Sequence, residues 1–222
     1  MKVVAKSLKT VVAAGTLAMG SMMVAAPAVA DLSASVGIAS QYLFRGVTQD
    51  IGGGSAGVPA ISGDLNYSSD TGLYGGIWTT SGVEEYDVYA GYAVEVGGVS
   101  IDASLWTYVT PNDANDNTGD VSEFVLALGV GGLSASVADN IAGSTGAFYY
   151  TLGYDFDRVS VLVGHAETAS ATSDDYTHLD LTFAATDNLS FTFSQVVDDR
   201  GVNNTVNDDL KVVASYALSF DL

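Results

Sequence analysis

The feature that most limits how this chain can fold is a two-residue alternation of apolar and polar side chains, kept up in segment after segment. Tyr86, Val88, Ala90, Tyr92, Val94 and Val96 alternate with Glu85, Asp87, Tyr89, Gly91, Ala93 and Glu95. Leu32 to Ile38, Val99 to Leu105, Phe148 to Phe156 and Leu210 to Phe220 repeat the pattern. Successive side chains of an extended strand leave opposite faces, so this period selects β-strands with one apolar and one polar side. About twelve segments result: 32–45, 58–67, 73–81, 85–96, 99–109, 121–130, 133–139, 146–156, 159–167, 175–184, 189–197 and 210–220. Most are near ten residues, about the length of a tilted strand that crosses a bilayer.

The connections alternate in length. Gly97-Gly98 and Gly131-Gly132 are two-residue hairpin signals, because glycine accepts the positive φ that such turns demand. Short links also fall at 68–72, 157–158 and 185–188, and longer ones at 46–57, 110–120, 140–145, 168–174 and 198–209. An even strand count with short turns on one side and long loops on the other predicts an all-β, closed, antiparallel up-and-down transmembrane barrel, with both termini on the short-turn, periplasmic side. The glycine turns also fix pairs: Val96 faces Val99, Asp87 faces Tyr108, Tyr89 faces Trp106, Ala93 faces Asp102, and Glu123 faces Asn140.

Charge and composition narrow the functional classes. The net charge is −19; Lys2, Lys6 and Lys9 lie in the first ten residues, and all 26 acids lie at Asp31 or later. So acidic a surface repels nucleic acid phosphates. The lysine-bearing start, the apolar stretch 11–24 and Ala28-Val29-Ala30 read as a secretory signal, 1–30, leaving 31–222 as the barrel. The absence of cysteine is compatible with export, because a closed sheet needs no disulfide.

A soluble sandwich would show the same alternation, so the placement of charges and rings matters. The in-strand charges Asp64, Glu85, Asp87, Glu95, Asp102, Glu123, Asp155, Asp180 and Lys211 all fall on the polar parity. On the apolar parity, Tyr67, Phe156, Phe183 and Phe220 gather near the short turns, and Tyr42, Phe44, Tyr86 and Phe148 near the long loops. Two such belts suit the two interfaces of a membrane. A sheet in lipid must also close, because an open edge leaves backbone groups without partners.

The run Ser40-Gln41-Tyr42-Leu43-Phe44-Arg45-Gly46-Val47-Thr48-Gln49 resembles the opening motif of the TorF-family porins of proteobacteria. Pro59-Ala60-Ile61, Gly72-Leu73-Tyr74-Gly75-Gly76-Ile77-Trp78 and Glu85-Tyr86-Asp87-Val88-Tyr89-Ala90-Gly91-Tyr92 are similar to the family's next stretches. The resemblance implies a barrel in the outer membrane of a Gram-negative bacterium, with a pore function and no named solute.

Polar parity then becomes the pore lining, with Arg45, Glu85, Asp87, Asp102, Glu123 and Lys211 as its charged members. Arg45 is expected to end the first strand and Lys211 to begin the last. Closure makes those strands neighbours, so the two cations, joined by Arg200, should form a basic patch opposing an acidic wall. The expected function is passive passage of small polar or cationic solutes; the alternative is a closed structural or adhesive barrel filled by Tyr74, Trp78, Tyr89, Trp106, Tyr108 and Tyr149. The expected partners are outer-membrane lipid, the solutes themselves and the barrel-assembly machinery, with the oligomeric state left open. No enzyme activity, cofactor or metal is expected: no serine sits in a nucleophile elbow, His178 points inward, and His165 points to lipid. The stretch 112–120 has oxygen ligands at alternate positions, but its glycine is one place late for a calcium loop, and Phe124 stands where glutamate is needed. Gly52-Gly53-Gly54 reads as loop.

Overall fold

A computed structural model describes residues 31–49, 57–111, 118–169, 175–200 and 206–222. The chain order is β1 (Asp31–Ala39), β2 (Leu43–Phe44), β3 (Val47–Thr48), β4 (Ala60–Ser68), β5 (Leu73–Thr80), β6 (Glu85–Val96) and β7 (Val99–Val109). It continues with β8 (Val121–Val130), β9 (Leu133–Ala142), β10 (Phe148–Phe156), β11 (Val159–Glu167), β12 (Tyr176–Ala184), β13 (Leu189–Asp199) and β14 (Lys211–Asp221). Twelve of these close into one barrel, in which β4 to β14 each pair antiparallel with the next and β1 joins β14 to β4. Ala34 thus stands between Phe220 on one side and Leu65 on the other. No helix among the described residues is long and apolar enough to cross a membrane.

The glycine turns set the register the alternation predicts. Gly97 and Gly98 have φ of 63° and 83°, and Gly131 and Gly132 57° and 87°. Around the first, Asp87 pairs with Tyr108, Tyr89 with Trp106 and Ala93 with Asp102. Around the second, Glu123 pairs with Asn140, beyond which the register slips at Ser122.

The pleat separates two environments. Outward side chains are large and apolar: Ile61, Leu73, Leu105, Leu128, Leu152, Val163 and Leu181 are all exposed, with Phe156 and Tyr67 in the belt at the short-turn end. A continuous apolar exterior of this extent is what a bilayer core requires of a barrel. Inward side chains are polar, small or aromatic; many are buried, down to 1% exposure at Thr192 and 0% at Ser194, while Glu95 and Asp155 near the short turns are exposed.

One predicted element is wrong. The first strand, expected over 32–45, stops at Ala39. The chain then turns into the barrel, and Leu43 and Phe44 pair with Thr48 and Val47 around Arg45-Gly46. Both turn residues have positive φ, 53° and 78°, as a type I′ two-residue hairpin requires. Tyr42 and Phe44 therefore leave the outer aromatic belt in which their parity placed them; Tyr42 is buried inside the barrel.

Leu152 lies midway along β10 on the lipid-type face. Leu152→Arg is expected to cost about 2–4 kcal/mol of folding stability, the range for a cation at the midplane. Denaturant titration of the chain refolded in vesicles, read by heat-modifiable migration on a gel, measures this.

Candidate functional site

The β2–β3 hairpin enters from the long-loop end and touches the inner wall residue by residue around much of its circumference. Tyr42 packs on Trp78 of β5, with ring centroids 6.2 Å apart, and its hydroxyl donates to Glu85 Oε2 of β6 at 3.1 Å. Phe44 meets Tyr108 of β7 edge-on at 6.4 Å. At the tip, Arg45 Nη2 donates to Glu123 Oε2 of β8 at 2.6 Å, and its guanidinium lies over the Tyr149 ring of β10 at 4.5 Å. Gly46 lies against His178 of β12, so close that a Cβ there would overlap the imidazole ring. The hairpin thus reaches from its root between β1 and β4 to the far wall.

Why these residue types do this is a matter of space and charge. Gly46 combines a positive φ with the absence of a side chain, and both are needed where the tip meets His178. Arg45 also has positive φ, which in a residue with a Cβ costs roughly 1–2 kcal/mol. That cost is offset by a charge-assisted bond to a buried carboxylate and by stacking on an aromatic face. Glu123, 3% exposed, also accepts from the Tyr108 hydroxyl at 2.9 Å. Removing one partner from so buried a pair costs about 3–5 kcal/mol, because the other charge stays behind. Burial, reinforced by the Glu85 and Asp87 carboxylates, pushes the Tyr42 phenol well above its ordinary pKa, so it stays a neutral donor to Glu85.

A second network backs the tip. His178 Nδ1 lies 3.0 Å from Asp180 Oδ1, and Nε2 lies 2.8 Å from the Tyr149 hydroxyl. The Tyr149 and His178 rings are parallel, 2° apart, and both residues are fully buried. With both ring nitrogens taken, His178 holds none free to activate a serine. Towards the short-turn end, Tyr89 stacks on Trp106 at 4.3 Å and donates to Asp64 at 2.8 Å, while the Tyr74 hydroxyl lies 2.9 and 2.8 Å from the two Asp102 oxygens.

The predicted charged positions fall into three groups. Arg45 and Glu123 are brought together, with Glu85 bonded to the root of the same hairpin and Asp87 close by in β6. Asp102 stands apart, satisfied by Tyr74. Lys211 is separate again: its Nζ donates to the carbonyls of Asn207 at 2.8 Å and Asp209 at 3.2 Å. Arg45, Lys211 and Arg200, expected as one basic patch, each bond to different partners. β1 meets β14 only as far as Ala39 opposite Ser215, so Arg45 lies beyond the pairing and crosses to β8. Arg200 is exposed and bonded to Asp198 at 2.6 Å.

Sequence reasoning missed the roles of Tyr42, Phe44, Gly46, Asn140 and the Tyr149–His178–Asp180 relay. One signal was present: Arg45-Gly46 flanked by Leu43-Phe44 and Val47-Thr48 has the form of a short hairpin. Three buried polar atoms in this quarter have no hydrogen-bond partner: Arg45 Nε, Asp87 Oδ1 and Asn140 Oδ1. Among the described residues no group of three or more His, Cys, Asp or Glu is placed to hold a metal ion. Most of the calcium-like stretch 112–120, together with Gly52-Gly53-Gly54 and the signal segment 1–30, lies outside the described residues.

Residues 24–211 match the model of a family described as "Bacterial protein of unknown function (Gcw_chp)". The chain belongs to the Gcw_chp family. This description does not carry the TorF name that the stretch 40–49 suggests. No curated protein sequence matches the chain. Among solved structures, one described as "Unveiling the Mechanism Behind the in-meso Crystallization of Membrane Proteins" is 6% identical, with a TM-score of 0.55 over 86% of this chain and 84% of that one. This likeness bears on the fold alone. Two weaker likenesses are the KdgM porin (9% identity, TM-score 0.46, 86% of this chain and 99% of that one) and the outer membrane phospholipase A of Escherichia coli (12% identity, TM-score 0.45, 84% and 89%).

Gly46→Ala in this Gcw_chp protein is expected to undock the hairpin and leave the barrel folded. A cysteine at Thr48, in a chain that otherwise has none, should then react with maleimide at least tenfold faster than in the parent.

Proposed function

We propose that this chain is a porin-like channel of the Gram-negative outer membrane, passing small polar or cationic solutes passively, and that the described arrangement is its closed state. The observation that carries the reading is the interior. Asp64, Glu85, Asp87, Asp102, Glu123 and Asp180 face inward against Arg45 and Lys211. A barrel kept only for structure is most stably filled with apolar side chains, since a buried ion pair seldom improves on a hydrophobic filling. An acidic lining instead favours cations by electrostatics, as rings of carboxylates do in pores. The lining residues act by charge and no bond-making step is assigned to them.

Residues 1–30 are a signal removed on export, and the barrel-assembly machinery inserts the chain. The TorF-like stretches 40–49 and 72–78 supply the hairpin and part of the wall it docks on. A second reading, a permanently closed structural barrel, is favoured by the deep burial of the inward Thr192, Ser194 and Ser215. The two differ in whether the hairpin leaves.

Planar-bilayer recording separates them. The parent chain is expected to open rarely and Arg45→Ala to conduct at least several-fold more; a silent Arg45→Ala barrel, shown folded by gel, favours the structural reading. Under a salt gradient, neutral amides at Glu85, Asp87 and Glu123 together should bring the reversal potential towards zero. An unchanged potential contradicts the assigned role of these carboxylates.

A further inference from the structure

The latch between Arg45 and the wall is incompletely matched, and the mismatch has a direction. The wall supplies the Glu123 carboxylate, the Tyr108 hydroxyl and the flat face of Tyr149. In the same quarter it holds two further acceptors, both on side chains more than nine-tenths buried and both without a partner: Asp87 Oδ1, and Asn140 Oδ1 on the residue directly opposite Glu123. The occupant, Arg45, uses Nη2 on Glu123 while its Nε has no acceptor. A niche with spare acceptors is thus filled by a cation with a spare donor, and a buried polar group without a partner is costly on either side.

The reason for the misfit is the tether. Arg45 sits at the first turn position of a tight hairpin, with φ of 53°, and Gly46 is pressed against His178. From that fixed starting point the fork meets Glu123 and leaves Asp87 Oδ1 and Asn140 Oδ1 unmet. A guanidinium group that arrives on a free solute has no such restriction. It is planar, it presents five donors when singly substituted, and it stacks on an aromatic face, which is what carboxylate plus ring plus amide oxygen recognise. A carboxylate set beside an aromatic face and an amide oxygen is the combination that favours an organic cation.

We propose that the Glu123 niche is a recognition site for solutes bearing a guanidinium group, and that Arg45 occupies it as the chain's own competing ligand. Such a solute takes the place of Arg45 on Glu123 and Tyr149, and the hairpin is released from the wall. The inference deepens the channel reading and takes its physiological sense from it, since it names the solute class and couples that solute's arrival to opening.

The test is binding, measured apart from conduction. Agmatine is titrated calorimetrically into the full chain, folded in detergent, as the parent and as Arg45→Ala. Removing the competitor should tighten agmatine binding at least tenfold, and adding Glu123→Gln to Arg45→Ala should abolish it. Putrescine, which has amines and no guanidinium, should bind Arg45→Ala at least tenfold more weakly than agmatine. Equal affinity in parent and variant, binding that survives Glu123→Gln, or equal binding of putrescine would each overturn the proposal. If Arg45→Ala does not fold, the parent barrel carrying Thr48→Cys decides: agmatine should raise maleimide labelling of Cys several-fold, and unchanged labelling overturns the proposal. Agmatine binding in a barrel that never conducts would count against the channel reading and leave the niche standing. Conduction without agmatine binding would do the reverse.

Discussion

Hydrocarbon offers a backbone amide no partner, and the rest of this structure follows from that. Every strand exposed to lipid must have a neighbour on both sides, so the first strand has to meet the last. Here β1 does so, paired with β14 along one edge and β4 along the other. Closure fixes which side of the pleat faces out. The apolar parity goes to the exterior, and the acidic, hydroxylated and aromatic parity is enclosed, where charges need internal partners.

The interior is organised by how those charges find partners. Phenols serve most of them: Tyr74 with Asp102, Tyr89 with Asp64, Tyr108 with Glu123 and Tyr42 with Glu85. A phenol is a donor that brings no charge of its own, so it satisfies a carboxylate while leaving the wall acidic. Arg45 is the exception, a full cation delivered by the short hairpin and not by the wall. Lys211 turns to loop carbonyls, which leaves Arg45 as the cation bonded to an inner-wall carboxylate among the described hydrogen bonds. The hairpin therefore combines ring contacts with the inner wall and an electrostatic link to it.

How legible this was in the sequence depended on what each signal measures. Alternation and glycine pairs report local geometry, and they were sufficient for the strands and for pairs as specific as Asp87 with Tyr108. They failed at 40–48 because Tyr42 and Phe44 continue the alternation of β1, so a hairpin that leaves the sheet has the same pattern as a strand that stays in it. Parity says that a side chain points away from lipid and nothing about how far it reaches across the lumen. Arg45 and Glu123 are 78 positions apart, and their meeting depends on the curvature of the barrel and the depth of the hairpin. For the same reason the Tyr149–His178–Asp180 relay was visible only as separate inward residues. Its members come from β10 and β12, which a single-sequence pattern cannot bring together.

The most direct measurement of the account tethers the hairpin to the wall. Phe44 and Tyr108 are in ring contact, and the chain has no cysteine of its own. Phe44→Cys with Tyr108→Cys, joined by a short cleavable bis-thiosulfonate reagent, should give a barrel that is silent in a planar bilayer and conducts once a reductant cuts the link. Failure of the two cysteines to join in a folded barrel, or the same current before and after reduction, would contradict a hairpin that closes the lumen.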